Sequence, residues 1–306
     1  MSPTSGRSDR RPVLVLGGTG KTGRRVVARL RAAGHEVRVA SRSGDWHFDW
    51  QDPGTWDTAL EGAGAAYVVP FDPEPLVPAL VERAVAAGLD RIVLLSGRGI
   101  DDPDYVDELV LSGNTLVAAE EAVRDSGLEW TVLRPGWFSQ NFDEGFLADL
   151  VRSGEVRLPT GDGAVSFTDA EDIAEVVAAA LTEPGHHGRT YELSGPRALT
   201  VAEALAEISS ATGRTVRYVP LSTEEFVAEL ADQGVAEEEA RALASMLSPI
   251  PRGKDEHLSD GVQRALGREP RDFAAFAADA AGAGAWERSL PAGSAWSGQG
   301  TGTFAS

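Results

Sequence analysis

The sequence predicts an α/β fold, a doubly wound parallel sheet with a smaller α/β region toward the C-terminus. Three observations predict it. Short apolar runs alternate with amphipathic stretches of helix length, the pattern of parallel strands joined by crossover helices. A glycine-rich turn joins the first apolar run to the first helical stretch, between Val13 and Leu30. The chain has 306 residues, 42% hydrophobic and 25% charged, enough for one large core.

Each element has its own signal. Residues 1–11 are small, polar and basic and read as a disordered lead-in. Val13–Leu16 is an apolar strand, Gly23–Ala33 a helix and Glu36–Ala40 a second strand, with Trp46–Phe48 a very short third. Thr55–Leu60 is a short helix and Ala65–Val69 the fourth strand. Leu76–Ala87 is a helix stopped by Gly88, and Arg91–Leu95 is the fifth strand. Asn114–Ser126 is a helix ended by Gly127, and Glu129–Arg134 is the sixth strand. Residues 12–140 thus form the sheet domain, and residues 141–287 form a mixed region that partly completes the sheet. In that region Asp143–Ser153 reads as helical, and Ala170–Thr182 as a strong amphipathic helix with Asp172 in its first turn. Arg189–Leu193 reads as a strand; Thr200, with Glu203 at capping-box spacing, starts a helix over Val201–Thr212. Val216–Val219 is a short strand, 222–245 is helical and acidic, and Arg271–Ala281 is a last helix. Residues 288–306, rich in Gly, Ser, Ala and Thr, read as a disordered tail.

Composition narrows the function. With no cysteine, the chain has no disulfide framework, zinc–cysteine site or thiol nucleophile. The N-terminus lacks the apolar core of a secretory signal, and no apolar run has the length of a membrane span, so a cytoplasmic protein is expected. A net charge of −19 repels nucleic acid and anionic membranes, which leaves a small molecule as the expected partner.

The strongest chemical signal is the strand–turn–helix segment from Val13 to Leu30, where Gly17, Gly20 and Gly23 make G-x-x-G-x-x-G. The first glycine permits the tight turn, the second lets backbone approach a pyrophosphate, and the third lets the helix pack closely on the sheet. Exposed N–H groups at the helix start then face the phosphates, so Gly17, Thr19, Gly20, Lys21, Thr22 and Gly23 are assigned to a dinucleotide. This makes the fold Rossmann-type. A phosphate-binding P-loop is excluded, because its first glycine would fall on Val15.

The end of the second strand reads Ala40-Ser41-Arg42-Ser43, with no carboxylate to hold a ribose 2′-hydroxyl. Arg42 pairs readily with a 2′-phosphate, Ser41 or Ser43 can donate to it, and Lys21 adds a second positive charge. The cofactor expected is therefore NADP(H). The alternative for Arg42 is an ordinary surface arginine.

At this point the chain resembles the NmrA-like family of atypical short-chain dehydrogenase/reductases, in particular the bacterial proteins grouped with ergot-alkaloid-type, agroclavine dehydrogenase-like reductases. The resemblance covers about residues 13–280. It is carried by the glycine turn, Val39-Ala-Ser-Arg42, Phe48-Asp-Trp50, Ile92-Val-Leu-Leu-Ser-Gly97, the run from Ser126 to Asn141 and Tyr191-Glu-Leu-Ser-Gly-Pro196. It implies that Phe48 and Asp49 flank the adenine, and that Val69, Pro70 and Phe71 pass near the nicotinamide ribose. It also places Ser96 and Gly97, and then Pro135, Gly136 and Trp137, at the nicotinamide end. Tyr105, Trp137, Phe138 and Asn141 would shape the substrate pocket of the 141–287 region.

The resemblance also exposes a gap. Short-chain dehydrogenases usually carry Tyr-x-x-x-Lys after the fifth strand, whereas Ser112 and Leu116 stand at those positions here. Tyr105 is followed four residues on by Leu109, so no tyrosine–lysine pair exists in this stretch. Ser96 and Tyr105 are the candidate proton donors. Two functions remain. One is an NADPH-dependent reductase of an electrophile that needs little acid help, such as an iminium, enone or quinone. The other is a non-catalytic NADP(H)-binding sensor with a protein partner. The cluster of Trp137, Phe138 and Phe142 suits a flat substrate or a packed core. The acidic run Asp101 to Asp104 with Asp107 and Glu108 reads as a solvated loop, and His186-His187 as a turn, so no metal is expected. Oligomeric state leaves no mark in these features.

Overall fold

The computed structural model describes residues 11–42, 44–71, 74–105 and 115–287. The predicted tail 288–306, the lead-in up to residue 10, and Ser43, Asp107, Glu108, Leu109 and Ser112 lie outside the described residues.

Seven strands form the main sheet: β1 (Val13–Leu16), β2 (Val37–Ser41), β3 (Trp46–His47), β4 (Ala65–Val68), β5 (Arg91–Leu95), β6 (Glu129–Pro135) and β9 (Arg189–Leu193). Their order is β3-β2-β1-β4-β5-β6-β9, and every pairing is parallel. After β1 the chain winds outward to β3 and then returns to place β4 on the other side of β1. A crevice therefore opens at the carboxyl ends of β1 and β4, where such sheets hold ligands. The seventh strand comes from the C-terminal half, as do parts of the sheet's helical cover.

Side-chain alternation explains the two layers. Val13 and Val15 pack with Val26, Val27 and Leu30 of helix α1 (Lys21–Ala32) and with Ile173, Val176 and Val177 of α6 (Ala170–Thr182). Leu14 and Leu16 face the other way, onto Trp56, Leu80, Ala119 and Val123 of α2 (Trp56–Leu60), α3 (Val77–Ala86) and α4 (Thr115–Asp125).

A separate core builds the C-terminal region, centred on Phe142, Phe167, Phe273, Phe276 and Trp286. Around it lie α5 (Ala148–Ser153), α7 (Val201–Thr212), α8 (Thr223–Asp232), α9 (Glu237–Leu247) and α11 (Phe273–Gly282), while α10 (Gly261–Leu266) packs Val262 into the sheet core beside α6 and β9. Two small ladders join them: β7 (Glu155–Leu158) with β11 (Arg217–Pro220), and β8 (Ala164–Val165) with β10 (Leu199–Thr200).

Several elements differ from the sequence reading. The helical stretch 222–245 is two helices, because Gly234 turns left-handed at φ 87° and ends the first. Of the predicted helix 143–153 only α5 is helical, since residues 142–147 form turns in which the Leu147 N–H donates back to the Asn141 carbonyl at 3.1 Å. Arg11, grouped with the lead-in, is held in place: its guanidinium donates to the Gly88 carbonyl at 2.7 Å and pairs with Asp90. The capping box of Thr200 and Glu203 has both arms present.

Candidate functional site

The site grows from the turn between β1 and α1. Gly17 takes φ 67°, and the Gly20 N–H donates to the Gly17 carbonyl at 2.9 Å, closing the turn. A Cβ on Gly23 would sit 2.1 Å from the Gly17 oxygen, so only glycine lets α1 approach β1 this closely. Gly20 caps α1 without any side-chain hydrogen bond. The N–H groups of the first turn are thus not taken up by a cap and are available to phosphate.

Two residues of the motif point elsewhere than expected. The Tyr67 hydroxyl donates to Thr22 Oγ1 at 3.0 Å in the buried interface of α1 and β4. Burial pushes the Tyr67 phenol far above its ordinary range, so it stays a donor. The Thr22 side chain therefore belongs to the core, and only its backbone is left for a phosphate. Lys21 does not join Arg42: its Nζ donates to Asn141 Oδ1 at 3.1 Å. Burial lowers the Lys21 pKa, partly offset by the charges of Glu144 and Asp143.

The adenosine end lies at β2 and β3. Ser41 Oγ is buried with no hydrogen-bond partner, and Arg42 is exposed with no ion pair among the described residues. An unfilled hydroxyl beside a free guanidinium fits an anionic group such as a 2′-phosphate. Phe48 and Asp49, assigned by the resemblance to the adenine, are used by the fold. Phe48 is 3% exposed and stacks on Trp56 with ring centroids 6.1 Å apart. The Asp49 carbonyl accepts from Trp56 Nε1 at 2.8 Å, and its side chain accepts from the Gln51 N–H at 3.0 Å. The aromatic core under this two-residue strand closes Phe48 to a ring, while Asp49 is half-buried with its Oδ1 engaged by Gln51.

Across the switch point, Val69 and Pro70 are buried and Phe71 is half-buried after β4. Val69 packs against the glycine turn, its Cβ 3.5 Å from where a Gly17 Cβ would lie. Ser96, at the end of β5, donates to Glu120 Oε1 at 2.6 Å. Glu120 is fully buried and clamped by Arg134 and Arg124, so this hydroxyl is part of a closed polar network. Leu116 packs beside Gly97, in the position where a lysine would stand in other short-chain dehydrogenases. Tyr105 donates to Asp255 Oδ1 at 2.5 Å, and burial with the Asp255 charge pushes its phenol well above the usual range. Neither candidate hydroxyl is a free acid.

Pro135 is buried at the end of β6 and Gly136 follows it. Trp137 remains half-buried, edge-on to Phe146 with centroids 6.2 Å apart, and also bonds Asp255. Phe138 and Phe142 are core residues, 2% and 0% exposed, on opposite sides of the sheet-to-lobe junction. Of the predicted aromatic cluster, Trp137 alone remains for a ligand. Asn141 is 2% exposed and its Nδ2 has no partner among the described residues. Next to it Asp143 has a carboxyl pushed up to about 7 by burial and by Glu144, and its Oδ1 has no partner.

Arg98, marked by no motif, ties the halves together. Its side chain is 2% exposed and donates to Ser166 Oγ at 2.9 Å and to the carbonyls of Asp255 and His257 at 3.2 and 3.3 Å. Glu192 lies 3.1 Å from its Nε. The only signal in the sequence was an arginine between two glycines just past an apolar strand. The His186-His187 pair is structural, bonding the Tyr191 hydroxyl and the Trp130 N–H at 3.0 and 3.2 Å. Among the described residues no group of three or more His, Asp or Glu is placed to hold a metal.

A parallel sheet with a glycine turn at its switch point and an uncapped helix start defines a dinucleotide-binding α/β protein. Residues 17–184 match the family model described as NAD(P)H-binding. The chain belongs to this NAD(P)H-binding family, as an NmrA-like atypical short-chain dehydrogenase/reductase. It is 36% identical over 285 residues to an NAD(P)H azoreductase of Xenophilus azovorans, covering 87% of this chain and 96% of the relative. It is 31% identical over 288 residues to agroclavine dehydrogenase of Claviceps fusiformis, with 87% and 96% covered. The fold matches the triphenylmethane reductase of Citrobacter sp. complexed with NADP(H), at TM-score 0.71 and 23% identity, over 88% of this chain and 99% of that one. The protein is an NAD(P)H-dependent oxidoreductase, and the sensor alternative is not favoured. No helix among the described residues is long and apolar enough to cross a membrane.

Proposed function

We propose that this protein is an NADPH-preferring reductase that delivers hydride to a small flat electrophile, a quinone, enone or iminium, without a dedicated protein acid. The observation that carries the cofactor preference is the pair at the end of β2: a buried Ser41 hydroxyl with no hydrogen-bond partner, beside an Arg42 with no ion pair, among the described residues. The first-turn N–H groups of α1 bind the pyrophosphate. Val69, Pro70, Phe71, Ser96, Gly97, Pro135 and Trp137 wall the nicotinamide end at the tips of β4, β5 and β6. Bound NADPH supplies the hydride. Trp137 orients the acceptor by stacking, and the buried wall residues exclude water from it.

Ser96 and Tyr105 both donate to carboxylates, so the proton that completes reduction of a quinone or enone comes from solvent, and an iminium takes up hydride alone. The name of the azoreductase relative supports a conjugated acceptor. The test is NADPH oxidation with a panel of quinones, enones and cyclic imines, alongside the Arg42→Ala variant. Turnover with at least one class is expected. Losing the Arg42 guanidinium is expected to weaken NADPH binding roughly tenfold or more while leaving NADH binding nearly unchanged. Tight NADPH binding with no turnover on any acceptor would overturn the reductase reading; equal effects on both cofactors would overturn the 2′-phosphate assignment.

A further inference from the structure

Lys21 and Asn141 are 120 residues apart and meet beside the glycine turn, with Nζ 3.1 Å from Oδ1. Lysine has donors and no acceptor, so the contact fixes which way the amide faces. The Asn141 oxygen is turned to Lys21, and its two N–H bonds are on the other side. That Nδ2 is buried with no partner among the described residues, in a side chain 2% exposed. A buried amide donor left unpaired is unfavourable and calls for an acceptor.

Lys21 has a more obvious partner and does not use it. Glu144 lies close enough to act on its charge but is engaged by Arg24 and Arg25. Asn141 itself is pinned. Its N–H donates to the Phe138 carbonyl at 3.0 Å, its carbonyl accepts from the Leu147 N–H at 3.1 Å, and a Cβ on Gly145 would sit 2.7 Å from its Cα. The 3-10 turn that carries it, Ser139–Asn141, begins two residues after Trp137. Lys21 itself is the first residue of α1, directly after the glycine turn.

We propose that Lys21 is a positioning residue that locks the Asn141 amide so that its N–H bonds are presented to a carbonyl oxygen at the reacting end of the site. That oxygen belongs either to the carboxamide of the nicotinamide or to the substrate. The assignment deepens the reductase reading and rests on it. It separates Lys21 from the phosphate role that its place in a glycine turn suggests.

Three ligands distinguish the outcomes: NADPH, 2′-phospho-ADP-ribose, which lacks the nicotinamide, and a quinone acceptor in steady-state assays. The variants are Asn141→Leu and Lys21→Met, both close in volume to the native side chains, and the double variant. All are expected to bind 2′-phospho-ADP-ribose as the native protein does, which also shows that they fold. If the acceptor is the cofactor carboxamide, both single variants weaken NADPH binding about tenfold. If it is the substrate oxygen, NADPH binding is unchanged and kcat/KM for the quinone falls about tenfold. In either case the double variant loses no more than one single variant, because the two residues act as a unit. Additive losses, or no loss on either readout, overturn the proposal. Loss of 2′-phospho-ADP-ribose binding by Lys21→Met also overturns it, since Lys21 is then a phosphate ligand. Failure of the native protein to bind 2′-phospho-ADP-ribose would instead count against the NADPH reading.

Discussion

Single side chains set the chemistry of the cleft, and several do so against what their positions in the sequence suggest. Lys21 follows the second glycine of a phosphate-binding turn, yet its ammonium reaches Asn141. Thr22 is one residue on, and it anchors the helix to Tyr67. Asp143 is the carboxylate most displaced from ordinary behaviour, pushed up to about 7 from 3.8 by burial and by its neighbour Glu144. The sign follows from proton linkage. Between pH 4 and 7 the folded chain holds a proton on Asp143 that the unfolded chain has released, so this group's stabilisation is full below the lower pKa and lost as pH rises through 7. Asp143→Asn is therefore expected to be relatively more stable at pH 8 than at pH 5. Allowing for partial solvation, the swing relative to the native protein is about 1–2 kcal/mol. Urea unfolding at the two pH values measures it, and parallel curves would show that Asp143 ionises normally.

At the scale of elements, most of the sheet was legible. The strands β1, β4 and β5 are continuous apolar runs bounded by turn signals and buried on both faces, and the amphipathic α6 keeps a helical period. Short edge elements were not. β7, β8, β10 and α10 are two to six residues long and hold no continuous apolar run that would mark them. They are stabilised by pairing with distant segments, as β7 is by β11. The division at Gly234 was hidden because an acidic helical pattern continues on both sides of it. The β1–α1 joint gives the sharpest test at this scale. A methyl on Gly23 meets backbone, not a movable side chain, so α1 must shift away from β1. Gly23→Ala is expected to lower stability by about 1–3 kcal/mol. It should also abolish detectable dinucleotide binding, because the first-turn N–H groups move with the helix. A melting curve and a cofactor titration read both effects, and native-like binding would show that the close approach is not needed.

For the whole molecule, the decisive feature is how the C-terminal lobe is fixed to the sheet. Arg98 leaves the tip of β5 and enters a shell of carbonyls from Leu193, Asp255 and His257, with Ser166 and Glu192 beside it. Removing it strands buried acceptors and a carboxylate, so Arg98→Ala is expected to destabilise by about 3–5 kcal/mol. Hydrogen exchange should rise first in residues 255–259 while β1 and β4 stay protected. Uniform loss of protection would mean that the lobe and sheet unfold only together.

The order of strands and helices, the glycine turn and the absence of a carboxylate after β2 followed from local pattern, because periodicity, turn geometry and charge act between near neighbours in the chain. Contacts between remote segments carried no such trace. Lys21 with Asn141, Tyr105 with Asp255 and Arg98 with the 255–257 segment are each more than 100 residues apart in sequence. Whether an aromatic ring lines a pocket or fills a core is likewise set by what packs on it. Trp137 stays half-buried, and Phe138, Phe142 and Phe48 are covered, because the sheet core, the C-terminal core and the aromatic cluster under β3 close over them in turn.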